Sequence, residues 1–192
     1  MNKITLLFYI FFTSITLAQE AKIPVIKFEG EFDSPNNYIT LLKLKDEKSI
    51  IIKISSSNYW LKGMISEFIV YQTDGKVLKY ISDVKNKIKR KSLKKKKYFL
   101  YWDLLNKCIG EKKFEIQKNQ LNITSKPSEN GETQLSVSDG TNETFELWQE
   151  NKYIVYSSQS PQTYINEKYL GYQERQKLVD LIEEFSTLFK NY

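Results

Sequence analysis

Short apolar runs recur along most of this chain with turn-favouring residues between them, and that combination is the signature of antiparallel strands. Val25 to Glu29 is the first run, and the turn-forming Ser34-Pro35-Asn36-Asn37 follows it. Tyr38 to Lys45 and Ile50 to Ser55 flank the polar Asp46-Glu47-Lys48 and read together as a hairpin. Glu67 to Thr73 and Lys76 to Ser82 flank Asp74-Gly75, and Asp-Gly favours the positive backbone angles of a two-residue type I′ turn. A second set comprises Phe114 to Gln117, Gln120 to Thr124, Thr133 to Ser138, Thr144 to Gln149 and Lys152 to Ser157, with Asn130-Gly131, Asp139-Gly140 and Glu150-Asn151 as turns.

Two stretches change period. Tyr101, Leu104, Leu105, Cys108 and Ile109 fall on one helical face, and Gly110 is placed to stop that helix. Ser160-Pro161 is a cap and first-turn pair that opens a short turn through Ile165. After Gly171, Leu178, Leu181, Ile182, Phe185, Leu188 and Phe189 line an amphipathic helix whose other side carries most of the charge. That stripe must be buried, and in a strand-rich chain a sheet face is the natural partner. The expected fold class is therefore α+β: a mainly antiparallel sheet, as a meander or partial barrel, with a short central helix and a C-terminal helix packed on the sheet.

Residues 1–18 have the three-part layout of a secretory signal: a start carrying Lys3, an apolar stretch from Ile4 to Phe12, and a polar exit to Thr16-Leu17-Ala18. The apolar stretch falls well short of the roughly 20 residues that cross a bilayer. Cleavage is expected after Ala18, with export to the periplasm or medium, and residues 19–192 then form one domain. No repeat, Pro-rich linker or Gly/Ser tether divides it. Asn, Ile, Lys and Tyr richness with only two Arg points to a low-GC bacterial genome.

Composition removes whole classes of chemistry. The chain has no His and one Cys, so it can build neither a Ser-His or Cys-His pair, nor a His-ligated metal site, nor an internal disulfide. Ser82-Asp83-Val84-Lys85 and Ser92-Leu93-Lys94-Lys95 match Ser-x-x-Lys, as a chain this rich in both residues does by chance. Asp139 to Glu143 has a faint likeness to a calcium loop but lacks the ligand alternation, and reads as a hairpin turn. Glu183-Glu184 falls on the solvent side of the last helix, and Cys108 on the apolar side of its own, as a small buried hydrophobe. No catalytic residue, metal site or cofactor is expected.

The sharpest local feature is charge. Without residues 1–18 the chain carries 28 basic against 23 acidic residues, yet nine of the basic ones crowd between Lys85 and Lys97, where no acid stands. This segment, including Lys89, Arg90, Lys91, Lys94, Lys95, Lys96 and Lys97, must stay exposed because its charges repel. It reads either as a solvated connector between two halves of the domain or as an electrostatic landing strip for a polyanion. The scarcity of Arg and the leader disfavour nucleic acid. Among the aromatics, Trp60 and Trp148 are the candidates for stacking on a ligand. The sequence thus points to an exported, non-catalytic binding protein with an anionic polymer, a membrane surface or another envelope protein as partner. A small hydrolase using paired carboxylates is the alternative.

Overall fold

Ile50, Ile52 and Ile54 on one side of a strand and Ile51 on the other are all buried, so that strand carries apolar side chains on both faces and belongs at the centre of a sheet covered on each side. The computed structural model describes residues 23–26, 38–58, 64–128, 131–137, 140–150 and 152–190 and places this strand there. The leader segment 1–18, the turn at 34–37, residues 27–29 and Trp60 lie outside the described residues. Residues 23–26, which include the start of the expected first strand, form no ladder.

The main sheet has the order β4-β3-β2-β1-β7-β8, every pair antiparallel. Its strands are β1 (Ile50–Asn58), β2 (Ile65–Tyr71), β3 (Val77–Ser82), β4 (Ile88–Lys91), β7 (Thr141–Gln149) and β8 (Lys152–Gln159). A separate hairpin pairs β5 (Ser125–Ser128) with β6 (Gly131–Gln134). The sheet is open: β1 to β4 run as a meander, and β7 returns to the free side of β1.

On one face, Ile50, Ile52, Ile69, Tyr71, Val77, Phe145, Leu147, Ile154 and Tyr156 meet two helices, α2 (Tyr98–Gly110) and α4 (Tyr172–Lys190). Helix α4 lays Leu178, Leu181, Phe185 and Phe189 on the sheet as its periodicity requires, and the Phe185 ring lies 5.8 Å from that of Phe145. Each such fully buried side chain stabilises the fold by about 1.5–3 kcal/mol. The opposite face holds Ile51, Phe68, Val70, Leu78, Tyr80 and Trp148 with Tyr38 and Leu42.

Those last two residues correct the first expected hairpin. Tyr38–Leu41 is a helical turn, α1, closed by Leu42 N–H donating to the Tyr38 carbonyl at 2.9 Å. Four-residue spacing lets Tyr38 and Leu42 reach the sheet together, and β1 takes β2 and β7 as its partners instead. The β2–β3 hairpin stands, with a different turn. Gly75 N–H donates to Gln72 and Gln72 N–H to Lys76, and of Asp74 and Gly75 only Gly75 has a positive φ, 79°. This is a type I turn closed by a glycine bulge, because the Asp74 carboxylate accepts from the Lys76 amide and holds Asp74 at negative φ.

Phe114 and Ile116 point inward in alternation, as expected of a strand, but their backbone joins no ladder. The Gln117 amide donates instead to the Glu174 carboxylate of α4 at 2.9 Å. The expected strand from Gln120 to Thr124 gives way to the end of a 3-10 turn and a loop, because Leu121 drops into the core. Pro161 opens α3 (Pro161–Asn166) at the first-turn position as expected, but Ser160 does not cap it: its backbone is left-handed, at a φ of 46°, and its hydroxyl makes no cap hydrogen bond. Gly171 then separates α3 from α4 at a φ of 77°, where an added Cβ would lie 2.0 Å from the Gln120 carbonyl oxygen. Four residues on, the buried Arg175 donates to the carbonyls of Leu170 and Ile123 and stacks on Tyr164, so one side chain ties the start of α4 to the preceding turn and to the loop before β5.

Candidate functional site

The Lys-rich segment contains a turn, the strand β4 and a 3-10 turn. At its start, Asn86 N–H donates to the Asp83 carbonyl and Asp83 N–H to that of Lys87, with Asn86 at a φ of 58°. The Asp83 carboxylate accepts from the amides of Lys85 and Lys87. Asp at the first position and Asn at the left-handed one are the residues such a turn favours, and this was the legible signal for the hairpin that the sequence reading passed over. The turn launches β4, which pairs Lys91 with Lys79 and Ile88 with Ser82. Ile88 packs on the second core face and Leu93 on the first, so both ends of the strand are anchored. Lys94 begins a 3-10 turn over Lys95–Lys97 that runs straight into α2.

Lys89, Arg90, Lys91, Lys94, Lys95 and Lys96 are exposed and Lys97 is half-buried. None of the first six forms an ion pair with a carboxylate among the described residues. Lys91 and Lys97 come near enough to Lys79 that, after burial itself, their charges help hold its ammonium below the ordinary lysine value. Seven of the nine candidate residues are thereby gathered along one sheet edge and the helix start beside it.

Two effects discriminate within this set. An uncovered strand edge invites pairing with other chains, and lysines discourage it, so Lys89, Arg90 and Lys91 suit an edge strand for structural reasons alone. Lys94 to Lys97 lie beyond the ladder. They stand at the N-terminal end of α2, where the helix dipole is positive and each exposed cation costs about 0.3–1 kcal/mol at low salt. The first turn of α2 carries no acid and its cap makes no side-chain hydrogen bond. Helix stability therefore argues against the position these lysines hold, and their field adds to that of the helix end.

The aromatic candidates separate. Trp148 is 6% exposed and belongs to the second core face, opposite Ile51 and Tyr153 in the ladders, so its ring is closed to a stacking ligand. Within the Tyr98–Trp102 cluster, the Tyr71 and Trp102 rings meet edge to face at 5.0 Å and the Trp102 indole N–H donates to the Gly75 carbonyl at 2.9 Å. Phe99 is 65% exposed, the most open aromatic ring among the described residues. Sequence reasoning missed it because a Phe at a helix start looks like core material until the neighbouring turns are packed.

A cavity of about 350 Å³ opens between β1, β2, β7 and the last turns of α4, lined by Ile54, Ile182, Glu67, Glu143, Glu183 and Lys190 among others. Burial raises the Glu67 carboxyl above the usual carboxylate range against the opposing pull of Lys190 and Lys79. Burial also raises Glu143, with the charge of Glu183 acting in the same direction. Glu184 is not the solvent-facing residue its position suggested: it bridges to Lys113 and lies 3.7 Å from the Cys108 sulfur. Among the described residues no group of three or more acids and cysteines could hold a metal ion, and no helix is long and apolar enough to cross a membrane.

No known family model matches the chain, and no curated protein matches it in sequence.

Proposed function

We propose that this is an exported protein, released by cleavage after Ala18, that works without catalysis by holding to an anionic component of the cell envelope. Lys89, Arg90, Lys91 and Lys94 to Lys97 carry the contact. The observation behind this reading is the placement of four consecutive lysines at the N-terminal end of α2, against the preference of the helix dipole, with no acid in its first turn. A partner of opposite charge turns this cost to folding into a gain on binding. Multiple lysines contacting one polyanion release bound counterions, so binding must fall steeply as salt rises.

Two measurements test it. Intact mass of the exported protein gives an N-terminus at Gln19, and a full-length cytosolic product ends the localisation reading. Changing Lys94, Lys95, Lys96 and Lys97 to Gln abolishes most binding to soluble polyphosphate at low salt while raising the melting temperature, because the variant no longer places cations at the positive end of α2. Equal binding by both proteins refutes the cationic contact.

A second reading, the carboxylate-using hydrolase, is favoured by one observation: Glu67 and Glu143 share a cavity and both have raised carboxyl pKa values, as an acid catalyst requires. It calls for turnover of a chromogenic glycoside or ester that Glu143→Gln removes. Turnover unaffected by Glu67→Gln and Glu143→Gln rejects it.

A further inference from the structure

Resting on the cationic reading above, we infer that the anionic partner is a lipid bilayer surface and that Phe99 inserts into it. From Val84 to Trp102 the chain has no acidic residue, and the stretch ends in Lys94-Lys95-Lys96-Lys97-Tyr98-Phe99. The structure folds this stretch into a corner made of β4, a 3-10 turn and the start of α2. The strand β4 is held by β3, Leu93 is packed on the core, and the 3-10 turn Lys95–Lys97 is closed by Lys97 N–H donating to the Lys94 carbonyl at 2.9 Å. Phe99 follows in the first turn of α2, two residues past the last lysine, with its ring in solvent. The ring is not free to fold back, because the next two aromatic positions are committed: Tyr101 is buried and its hydroxyl donates to the Leu188 carbonyl at 3.0 Å, while Trp102 is tied to Gly75.

The pairing of chemistries selects the partner. A soluble polyanion needs only the ammonium groups and leaves the exposed Phe ring unexplained. An anionic bilayer presents phosphates at its surface and hydrocarbon immediately beneath, so lysines that engage headgroups bring an adjacent aromatic ring to the depth where it leaves water. Each lysine near such a surface strengthens binding about fivefold, and withdrawal of one large apolar side chain from water adds about tenfold. Electrostatics supplies the attraction, and the ring distinguishes a membrane from any other polyanion.

The experiment compares the exported protein with two variants, Phe99→Ser and the Lys94, Lys95, Lys96, Lys97 to Gln protein, on three probes: vesicles of phosphatidylcholine with phosphatidylglycerol, vesicles of phosphatidylcholine alone, and soluble polyphosphate. Binding is read as the excess on anionic over neutral vesicles, so apolar adsorption elsewhere on the chain cancels. Phe99→Ser is expected to lose about tenfold in that excess, keep its affinity for polyphosphate and keep its melting temperature. The Gln variant is expected to lose both kinds of binding. In Phe99→Trp, the indole emission gained over the wild type, which already carries Trp60, Trp102 and Trp148, should shift to the blue on anionic vesicles and be quenched by brominated acyl chains. Wild-type binding to anionic vesicles by Phe99→Ser, or an unquenched Trp at that position, overturns insertion while leaving the cationic contact intact. Binding to polyphosphate without excess binding to anionic vesicles overturns the membrane as partner. Indifference of every probe to the Gln variant defeats the underlying cationic reading instead.

Discussion

The ammonium of Lys79, on β3, lies 4.2 Å from the centre of the Phe189 ring and donates to the Phe189 carbonyl at 2.9 Å. A lysine 3% exposed thus closes the end of the C-terminal helix, where the dipole favours a cation, and joins the sheet to the helix covering it. Burial still dominates and holds its pKa below the ordinary value of 10.5. A lysine so depressed carries a charging cost in the fold that is fully present below the folded pKa and disappears as pH rises toward the unfolded value. The wild type should therefore gain stability relative to Lys79→Met between neutral pH and about pH 10.5. Urea midpoints measured across that range check it, and a constant difference between the two proteins would contradict it.

Phe185 has no exposed surface and its ring lies against Phe145. Phe185→Ala is expected to cost about 3–5 kcal/mol of unfolding free energy, the sum of lost transfer energy and the cavity left behind. Chemical denaturation with an unchanged m value reports this, whereas a loss below about 1 kcal/mol would mean that the helix is not docked through this residue.

Glu67 is held above the usual carboxylate range chiefly by burial, although Lys190 and Lys79 oppose the shift. Its ionised form is dearer in the folded chain than in the unfolded one. That cost is absent below the unfolded pKa and fully present above the folded one. Glu67→Gln should accordingly be more stable than wild type near pH 7 and lose the advantage below about pH 4. Thermal melts at both values decide, and an advantage that persisted into acid would belong to packing rather than to charge.

Cys108 is fully buried, and burial together with the neighbouring Glu184 charge pushes its thiol up to about 12. The thiolate population at neutral pH then falls about a thousandfold below that of a free cysteine. Native protein should react with a disulfide reagent only as fast as it unfolds, and within seconds in denaturant. Rapid labelling of the folded protein would place the sulfur in reach of solvent.

The apolar runs at Ile50 to Ser55, Glu67 to Thr73, Lys76 to Ser82, Thr144 to Gln149 and Lys152 to Ser157 announced the strands they form, because side chains that alternate between two buried faces need no other information. The Leu178 to Phe189 stripe announced its helix for the same reason. Tyr38 to Lys45 misled: its apolar residues fit a period of two and a spacing of four equally well, and the choice fell to whichever backbone partner was near. Phe114 and Ile116 have strand-like alternation, and the carboxylate of Glu174 took the amide that a ladder would have used.

The candidate site divides in the same way. Exposure of Lys89, Arg90, Lys91 and Lys94 to Lys96 followed from charge alone, since no fold of this size buries so many like charges, whereas Lys97 is half-buried where the run enters α2. Their gathering at one edge did not follow, because it required β4 to find β3 and α2 to begin where Lys97 ends. Neither was it visible that Trp148 would be enclosed while Phe99 stayed open; both are apolar in composition, and only the neighbours brought by the sheet order tell them apart.

Sequence by itself determined the fold class, the docked terminal helix and the chemistries denied to a chain without histidine, because these depend on residue identity and on period along the chain. Tertiary structure alone decided strand order, the cationic corner and the carboxylate cavity, because each is a meeting of residues distant in the chain, and such contacts are fixed by packing and backbone pairing rather than by any local pattern.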